Sequence, residues 1–299
     1  MAGKNLNVKT ALIINPVASR ISSAEKLARV EQELNRRGHP VTVSYTSAPL
    51  EAMEIARRAA GEGSGLVISV GGDGTLNEVI NGIASTPARL GIIPAGLSNV
   101  LARELNIPDK LERALEVILA GTTRRLDLGL INGRYFSIMV SVGIDAEAVR
   151  IVNPAVKRFL KRYAYHLAGF QALASFRPGP FTLRCDGEKE LTGRAAVISN
   201  SRFYGGPHQI TPQARSDDGM LHCCVFARGR RRDYARYFWG VLRKNHQRFR
   251  DVSFLTARTV DIETPGLPIQ ADGDYLGRTP ARIQIFPGML TVLAPKKNE

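Results

Sequence analysis

The chain is poor in the residues that staple or anchor a fold by themselves. It holds three cysteines in 299 residues. Cys185, Cys223 and Cys224 are an odd number without metal-ligand spacing, which argues against a disulfide framework or a zinc site and leaves them as small buried apolar residues. No apolar run approaches the ~20 residues that span a bilayer, and the start Met1-Ala2-Gly3-Lys4-Asn5 lacks the apolar core of a secretion signal. A cytoplasmic location is the expectation. His39, His166, His208, His222 and His246 show no metal spacing either. Repeats and low-complexity segments are missing. Acid is the scarcer charge: 27 Asp and Glu face 41 Lys and Arg, a net charge of +14. Such a surplus favours nucleic acid, anionic membrane or anionic small molecules, without choosing between them.

Apolar residues, at 44%, suffice for a sizeable core in one large or two medium domains. Up to about residue 125 strands and helices alternate. Thr10 to Ile14, Val41 to Tyr45, Leu66 to Val70 and Leu90 to Ile93 read as strands. Ala24 to Arg37, Leu50 to Ala60, the segment from Thr75, Ala102 to Leu105 and Leu111 to Leu119 read as helices. That alternation predicts a mostly parallel sheet whose ligands gather at the carboxyl ends of the strands. Asn15, Thr46, Asp73 and Gly96 all fall at such ends. From about Arg125 short strands replace the alternation, ending with Arg282 to Phe286 and Leu290 to Leu293. They predict an all-β second domain, a sandwich, interrupted by helices near 155–175 and 231–247. The cleft between the domains is the expected active site.

The chain is organised around the stretch from Gly65 to Glu78. Leu66 to Val70 is an unbroken apolar run, as in a strand covered on both faces. Gly71, Gly72 and Gly74 then allow a sharp turn and a close backbone approach. The helix that follows would aim its first N–H groups, and the positive end of its dipole, at an anion. A plain strand-to-helix turn is the alternative. Asp73, with Thr75, Asn77 and Glu78 after it, tilts the balance toward the anion site, because a carboxylate in a phosphate cradle is repulsive unless a metal ion or a reacting hydroxyl accompanies the phosphate. Capping the following helix is a second role open to Asp73.

Basic residues cluster at Lys157, Arg158, Lys161 and Arg162, and again from Arg228 to Arg250, where Asp233 is the sole acid. Solvated surface is the usual reason for such runs. Here Phe159, Leu160 and Tyr163, then Tyr237, Phe238, Trp239, Val241 and Leu242, interleave the charges, the pattern of a helix lying on an anionic bilayer.

Gly71-Gly72-Asp73-Gly74-Thr75 with Asn77-Glu78 resembles the signature of the diacylglycerol kinase catalytic-domain superfamily, whose relatives include sphingosine and ceramide kinases. NAD kinases and phosphofructokinases share its core. Further motifs follow in family order: Asn15-Pro16, then Pro94-Ala95-Gly96-Leu97-Ser98-Asn99-Val100-Leu101-Ala102-Arg103. Tyr204-Gly205-Gly206 with Pro212, Ala214, Asp217, Asp218 and Gly219, and Asp272-Gly273-Asp274 in the place of D-G-E, complete the set. An NAD kinase is not expected to carry the last two.

The resemblance implies a Rossmann-like nucleotide domain over residues 1–125 and a β-sandwich lipid-substrate domain over 126–281. A C-terminal segment, 282–299, would return to the first domain. It implies an ATP-dependent lipid kinase using Mg²⁺, cytoplasmic and peripheral at the inner membrane surface, without a nucleic-acid role; a homodimer is one option for its assembly. ATP would be held by Asn15, Pro16, Ser19, Arg20, Thr46, Gly71, Gly72, Gly74, Thr75, Asn77, Glu78 and Gly96. Asp73 would meet the metal ion, Asp274 would accept the hydroxyl proton and Asp272 would assist. Asp218 with the carbonyls of Arg215 and Met220 would form a structural magnesium site. Leu97 departs from the family Thr, Val100 from a frequent Asp, and Asp274, one methylene short of Glu, puts the base assignment in question. Alternative readings are an NAD or other small-molecule kinase and a lipid- or nucleotide-binding protein without turnover.

Overall fold

The computed structural model describes residues 8–18, 24–151 and 178–297. The basic segment around Lys157 to Tyr163, and the nucleotide candidates Ser19 and Arg20, lie outside them. The chain divides into two compact units, Met1–Leu126 with Gly288–Glu299, and Asp127–Pro287.

In the first unit β1 (Thr10–Ile14), β2 (Val41–Tyr45), β3 (Leu66–Gly71) and β4 (Arg89–Pro94) form a parallel sheet in the order β2-β1-β3-β4. The apolar runs in β1, β3 and β4 follow from burial: Leu12, Ile13, Leu66, Ile68, Leu90 and Ile93 are all fully buried, as parallel strands covered on both faces require. The connecting helices are α1 (Ala24–Arg36), α2 (Glu51–Gly61), α3 (Asp73–Ile83), α4 (Val100–Glu104) and α5 (Leu111–Ala120). Gly82 of α3 makes the α2–α3 contact close, since a Cβ there would stand 2.6 Å from the Ala56 Cβ.

The second unit is antiparallel. Its strands are β5 (Thr123–Ile131), which starts in the first unit, β6 (Arg134–Phe136), β7 (Met139–Val142), β8 (Phe181–Cys185), β9 (Lys189–Gly193) and β10 (Ala195–Ser199). There follow β11 (Phe203–Tyr204), β12 (His208–Gln209), β13 (Leu221–Phe226), β14 (Val252–Ala257), β15 (Thr259–Ile262), β16 (Pro268–Ala271), β17 (Asp274–Arg278) and β18 (Ala281–Leu293). One sheet runs β14-β13-β10-β7-β16-β17; a second set joins β9, β8, β15 and the first half of β18. Side chains from both sets, among them Phe181, Leu183 and Val260 against Ile198, Val225 and Ile269, make one apolar core. Each such side chain contributes about 1.5–3 kcal/mol by leaving water. Cys185 and Cys223 are free thiols within it, and Cys224 is a buried free thiol outside this cluster. Among the described residues its α-helices are α6 (Ile144–Ile151) and α7 (Arg231–Leu242).

The structure differs from the sequence reading at β18. Pro287-Gly288 predicts a break, yet 281–293 is a single strand. Gly288 takes φ +60, and its carbonyl accepts both the Nε (2.9 Å) and an Nη (2.6 Å) of Arg125, so the irregularity is absorbed rather than ending the strand. Past this point β18 belongs to the first unit, with Val292 opposite Leu90 of β4 in parallel and the Ala294 N–H donating to the Thr122 carbonyl at 3.0 Å.

Candidate functional site

The four parallel strands of the first unit end in register: Tyr45, Ile14, Val70 and Ile93 stand side by side. The next residues continue the ladder. Thr46 donates its N–H to Ile14 (2.9 Å), Asn15 to Val70 (3.0 Å) and Ala95 to Gly71 (2.8 Å). Thr46, Asn15, Gly72 and Gly96 therefore come to one sheet edge.

Two glycine turns meet there. A Cβ on Gly96 would lie 2.5 Å from the Gly72 Cα, so main chain rests on main chain. A Cβ on Gly71 would strike the Thr75 side chain at 2.7 Å. Asn15 locks the other side: its Nδ2 donates to the Thr75 hydroxyl at 2.9 Å, and its Oδ1 accepts the Val17 N–H at 3.1 Å. Gly74 differs from its neighbours. It is exposed, has no positive φ and no atom within 4 Å of the space a Cβ would fill. Nothing inside the protein demands glycine at this second position of α3, where it costs up to about 1 kcal/mol relative to alanine.

Asp73 follows the N-cap Gly72, which offers α3 no side-chain bond. Its Oδ1 reaches instead to the start of α4, accepting the Val100 N–H at 2.6 Å. Burial pushes its carboxyl above the ordinary range, while the main-chain N–H groups of Val100, Asn99 and Asp73 itself pull it back. Asn99 closes the second turn from a left-handed conformation (φ 44), its Oδ1 accepting the Gly96 N–H at 3.0 Å. Leu97 in that turn is 46% exposed. Other candidates serve the scaffold: Glu78 accepts the Ala52 N–H at 3.2 Å, at the start of α2, and buried Asn77 accepts from Asn81 at 2.6 Å. Pro16 is exposed beside Asn15.

In the second unit Asp272-Gly273 is the two-residue tip of the β16–β17 hairpin, with Ala271 opposite Asp274 and φ of +48 and +88, the combination that type I′ turns require. All four lone pairs of the Asp272 carboxylate are used. Oδ2 accepts the N–H (2.8 Å) and hydroxyl (3.2 Å) of Ser137; Oδ1 accepts the N–H groups of Ile138 (3.0 Å) and Met139 (2.9 Å). Burial pushes this carboxyl up to about 6 against the pull of those donors. Asp274 differs. Its side chain is 40% exposed, and its Oδ2 alone is held, by Arg134 at 2.6 Å.

A network absent from the sequence reading supports this turn. The Asp145 carboxylate accepts from the Tyr204 and Ser141 hydroxyls and, at 3.0 Å, from Gln270 Nε2. Gln270 Oε1 in turn accepts the Gly273 N–H at 2.8 Å. The partners lie 59 and 125 residues from Asp145. The one sequence signal was Tyr204, already singled out in its Tyr-Gly-Gly motif.

The Asp218 carboxylate is engaged on both oxygens, by the Met220 N–H at 3.1 Å and by His222 Nε2 at 2.9 Å. Arg215 sends its guanidinium toward Asp217, 3.5 Å away. Among the described residues no group of three or more His, Cys, Asp or Glu comes together. A site of one carboxylate and two main-chain carbonyls, as expected at Asp218, needs no such group, since a hard cation takes carbonyl oxygens as readily as carboxylates.

Comparison with known proteins adds three findings. Residues 9–131 match the family model of the diacylglycerol kinase catalytic domain, and residues 138–294 that of the YegS C-terminal NAD kinase beta sandwich-like domain. A diacylglycerol kinase of Mycobacterium tuberculosis is 31% identical over 299 residues, covering 96% of each chain, and one of Bacillus subtilis is 29% identical over 297 residues, covering 97% of each. A Bacillus anthracis crystal structure, provisionally assigned as a diacylglycerol kinase, shares the fold with a TM-score of 0.81 at 23% identity, covering 96% of this chain and 98% of that one.

Proposed function

The chain belongs to the diacylglycerol kinase catalytic-domain family, and on that premise we propose that it uses ATP to phosphorylate the hydroxyl of a lipid at a membrane surface. The observation that carries the reading is Gly74, a helix-destabilising residue with open space where its side chain would be. A ligand that needs main chain at close quarters accounts for it, and a helix N-terminus makes that ligand an anion.

Transfer of a phosphoryl group asks the protein mainly for positioning and charge neutralisation, with one group to take the hydroxyl proton. The first-turn N–H groups of α3 have no partners within the helix and would hold the ATP phosphates. Thr75, locked by Asn15, flanks them. Asp73 braces the two glycine turns against each other, and its carboxylate would share a magnesium ion with the phosphates. Such an ion supplies neutralisation of their charge. Asp274 Oδ1, free of the Arg134 contact, would take the proton. Asp272, with every lone pair occupied, is assigned the role of holding Ser137 to Met139.

The test is transfer of labelled phosphate from ATP to lipid alcohols in mixed micelles, across glycerolipid, sphingoid and prenol acceptors. Labelled lipid is the expected result, and an unlabelled panel refutes the reading. Conversion of NAD to NADP in a parallel reaction would replace the lipid with a dinucleotide. ATP binding without transfer to any acceptor would leave a binding protein.

A further inference from the structure

Helix α7 commits one face to the second unit and leaves the other bare. Asp233, Tyr237 and Gly240 form the inner face. The Tyr237 hydroxyl donates to Asp251 at 2.7 Å and accepts the Arg228 N–H at 3.2 Å, and its ring packs 4.7 Å from that of Phe226. Gly240 lets Phe249 come near, since a Cβ would lie 2.6 Å from that ring. On the outer face Phe238 and Trp239 are 52% and 55% exposed, with their rings edge to face 5.9 Å apart. Arg231 and Arg232 stand exposed at one end, Arg243 and Lys244 at the other, and the Arg243 guanidinium lies 5.7 Å over the Trp239 ring. Nearby acids are spent inward: Asp233 accepts the Arg230 N–H at 3.1 Å, and Asp251 pairs with Arg236.

We propose that the outer face of α7 docks on an anionic lipid bilayer, with Phe238 and Trp239 entering the boundary between headgroups and acyl chains. The proposal deepens the lipid-kinase reading and rests on it, because the same bilayer would carry the substrate. Two adjacent exposed aromatic rings between pairs of cations are what an interfacial helix presents, and tryptophan favours that depth because its ring is apolar and its N–H is not. Charge selects the occupant. A second copy meeting this face across a two-fold axis would set Arg232 and Arg243 against their own kind, while Asp233 and Asp251, the described acids on and beside the helix, already face Arg230 and Arg236. A nucleic acid is bound by rings spaced along a charged groove, whereas these two abut on a convex helix.

Trp239 is the only tryptophan in the chain, so its fluorescence reports this face directly. With vesicles of phosphatidylglycerol and phosphatidylcholine in equal parts the emission shifts to the blue; with phosphatidylcholine alone it stays. The Arg231→Glu, Arg232→Glu double variant binds the anionic vesicles more than tenfold less tightly, each cation near such a surface being worth about fivefold. Phe238→Ser weakens binding at least threefold, with an unchanged thermal unfolding curve. Both variants match the wild type on a short-chain lipid alcohol dissolved as monomers and fall behind it on vesicles containing the long-chain substrate. The proposal is overturned if the protein sediments with vesicles while the Trp239 emission stays put, or if Phe238→Ser binds like the wild type. It is also overturned if the shift appears only with rising protein concentration or only with an oligonucleotide. A wild type that shows the vesicle shift but phosphorylates no lipid in either form retires the kinase reading and leaves the docking face standing.

Discussion

Replacing Gly74 with alanine separates what the fold needs from what the ligand needs. The added methyl meets open space and an ordinary backbone conformation. Removing glycine from a helix is worth up to about 1 kcal/mol, and less in the first turn, so a gain of roughly 0.5 kcal/mol is expected. For a unit of this size that raises the melting temperature by about 1–2 °C. ATP should feel the opposite. A methyl over the first turn of α3 holds the phosphate away from at least one N–H, and a hydrogen bond to a charged group is worth about 1.5–3 kcal/mol. KM for ATP therefore rises about 10- to 100-fold by the usual conversion of free energy to affinity. Differential scanning fluorimetry with and without ATP-magnesium reads both effects: the free variant melts higher, and its ATP-induced shift shrinks. A variant that melts higher but keeps its KM within twofold would show that no ligand uses the space beside Gly74. One that melts lower would refute the local structure itself.

Asp73→Ala strips the brace from α4, costing about 1–3 kcal/mol for amides left without an acceptor, and abolishes turnover. Asp73→Asn restores an acceptor, and its melting curve should recover more than its kcat. Asp274→Asn is expected to lower kcat by about 10²- to 10⁴-fold, with a stability loss of at most about 1 kcal/mol for the exposed Arg134 pair; unchanged kcat would move the proton to another group. Asp272 lies at about 6 in the folded protein against about 3.9 in the unfolded chain. The folded state thus binds the extra proton between these values, and the resulting stability, complete below about pH 4, is lost as pH rises through about 6. Chemical denaturation from pH 4 to 7 should show the wild-type advantage over Asp272→Asn shrinking across that window, and a constant difference would contradict the burial argument.

The parallel half of the fold was legible because buried strands advertise themselves. Leu12 to Ile14 and Leu66 to Val70 leave no polar alternation that could be misread. The sandwich half was legible in kind and less so in detail. Helix α6 and strands β16 and β17 escaped the pattern, and Pro287-Gly288 suggested a stop that Arg125, 163 residues away, turns into a bend. The glycine turn between β3 and α3 was legible through local chemistry alone. What the local pattern withheld was the direction of its carboxylate: as the first residue of α3, Asp73 would be expected to serve its own helix, yet it caps one that begins 27 residues later. The division of labour in Asp272-Gly273-Asp274 was hidden in the same way, since only the fold brings Ser137 to Met139 against one of two similar acids.

The last residues of the chain complete a sheet whose other strands are among the first to be made. A ribosome synthesising this protein releases β1 to β4 long before Val292 can take its place beside Leu90. The first unit must therefore wait, with its fifth strand position empty and the edge of β4 open, until residues 288–293 have been made. Shortening the C-terminus by a dozen residues is then an injury to the N-terminal unit. A nascent chain arrested before residue 288 should stay protease-sensitive in its first hundred residues, however long it is left to fold.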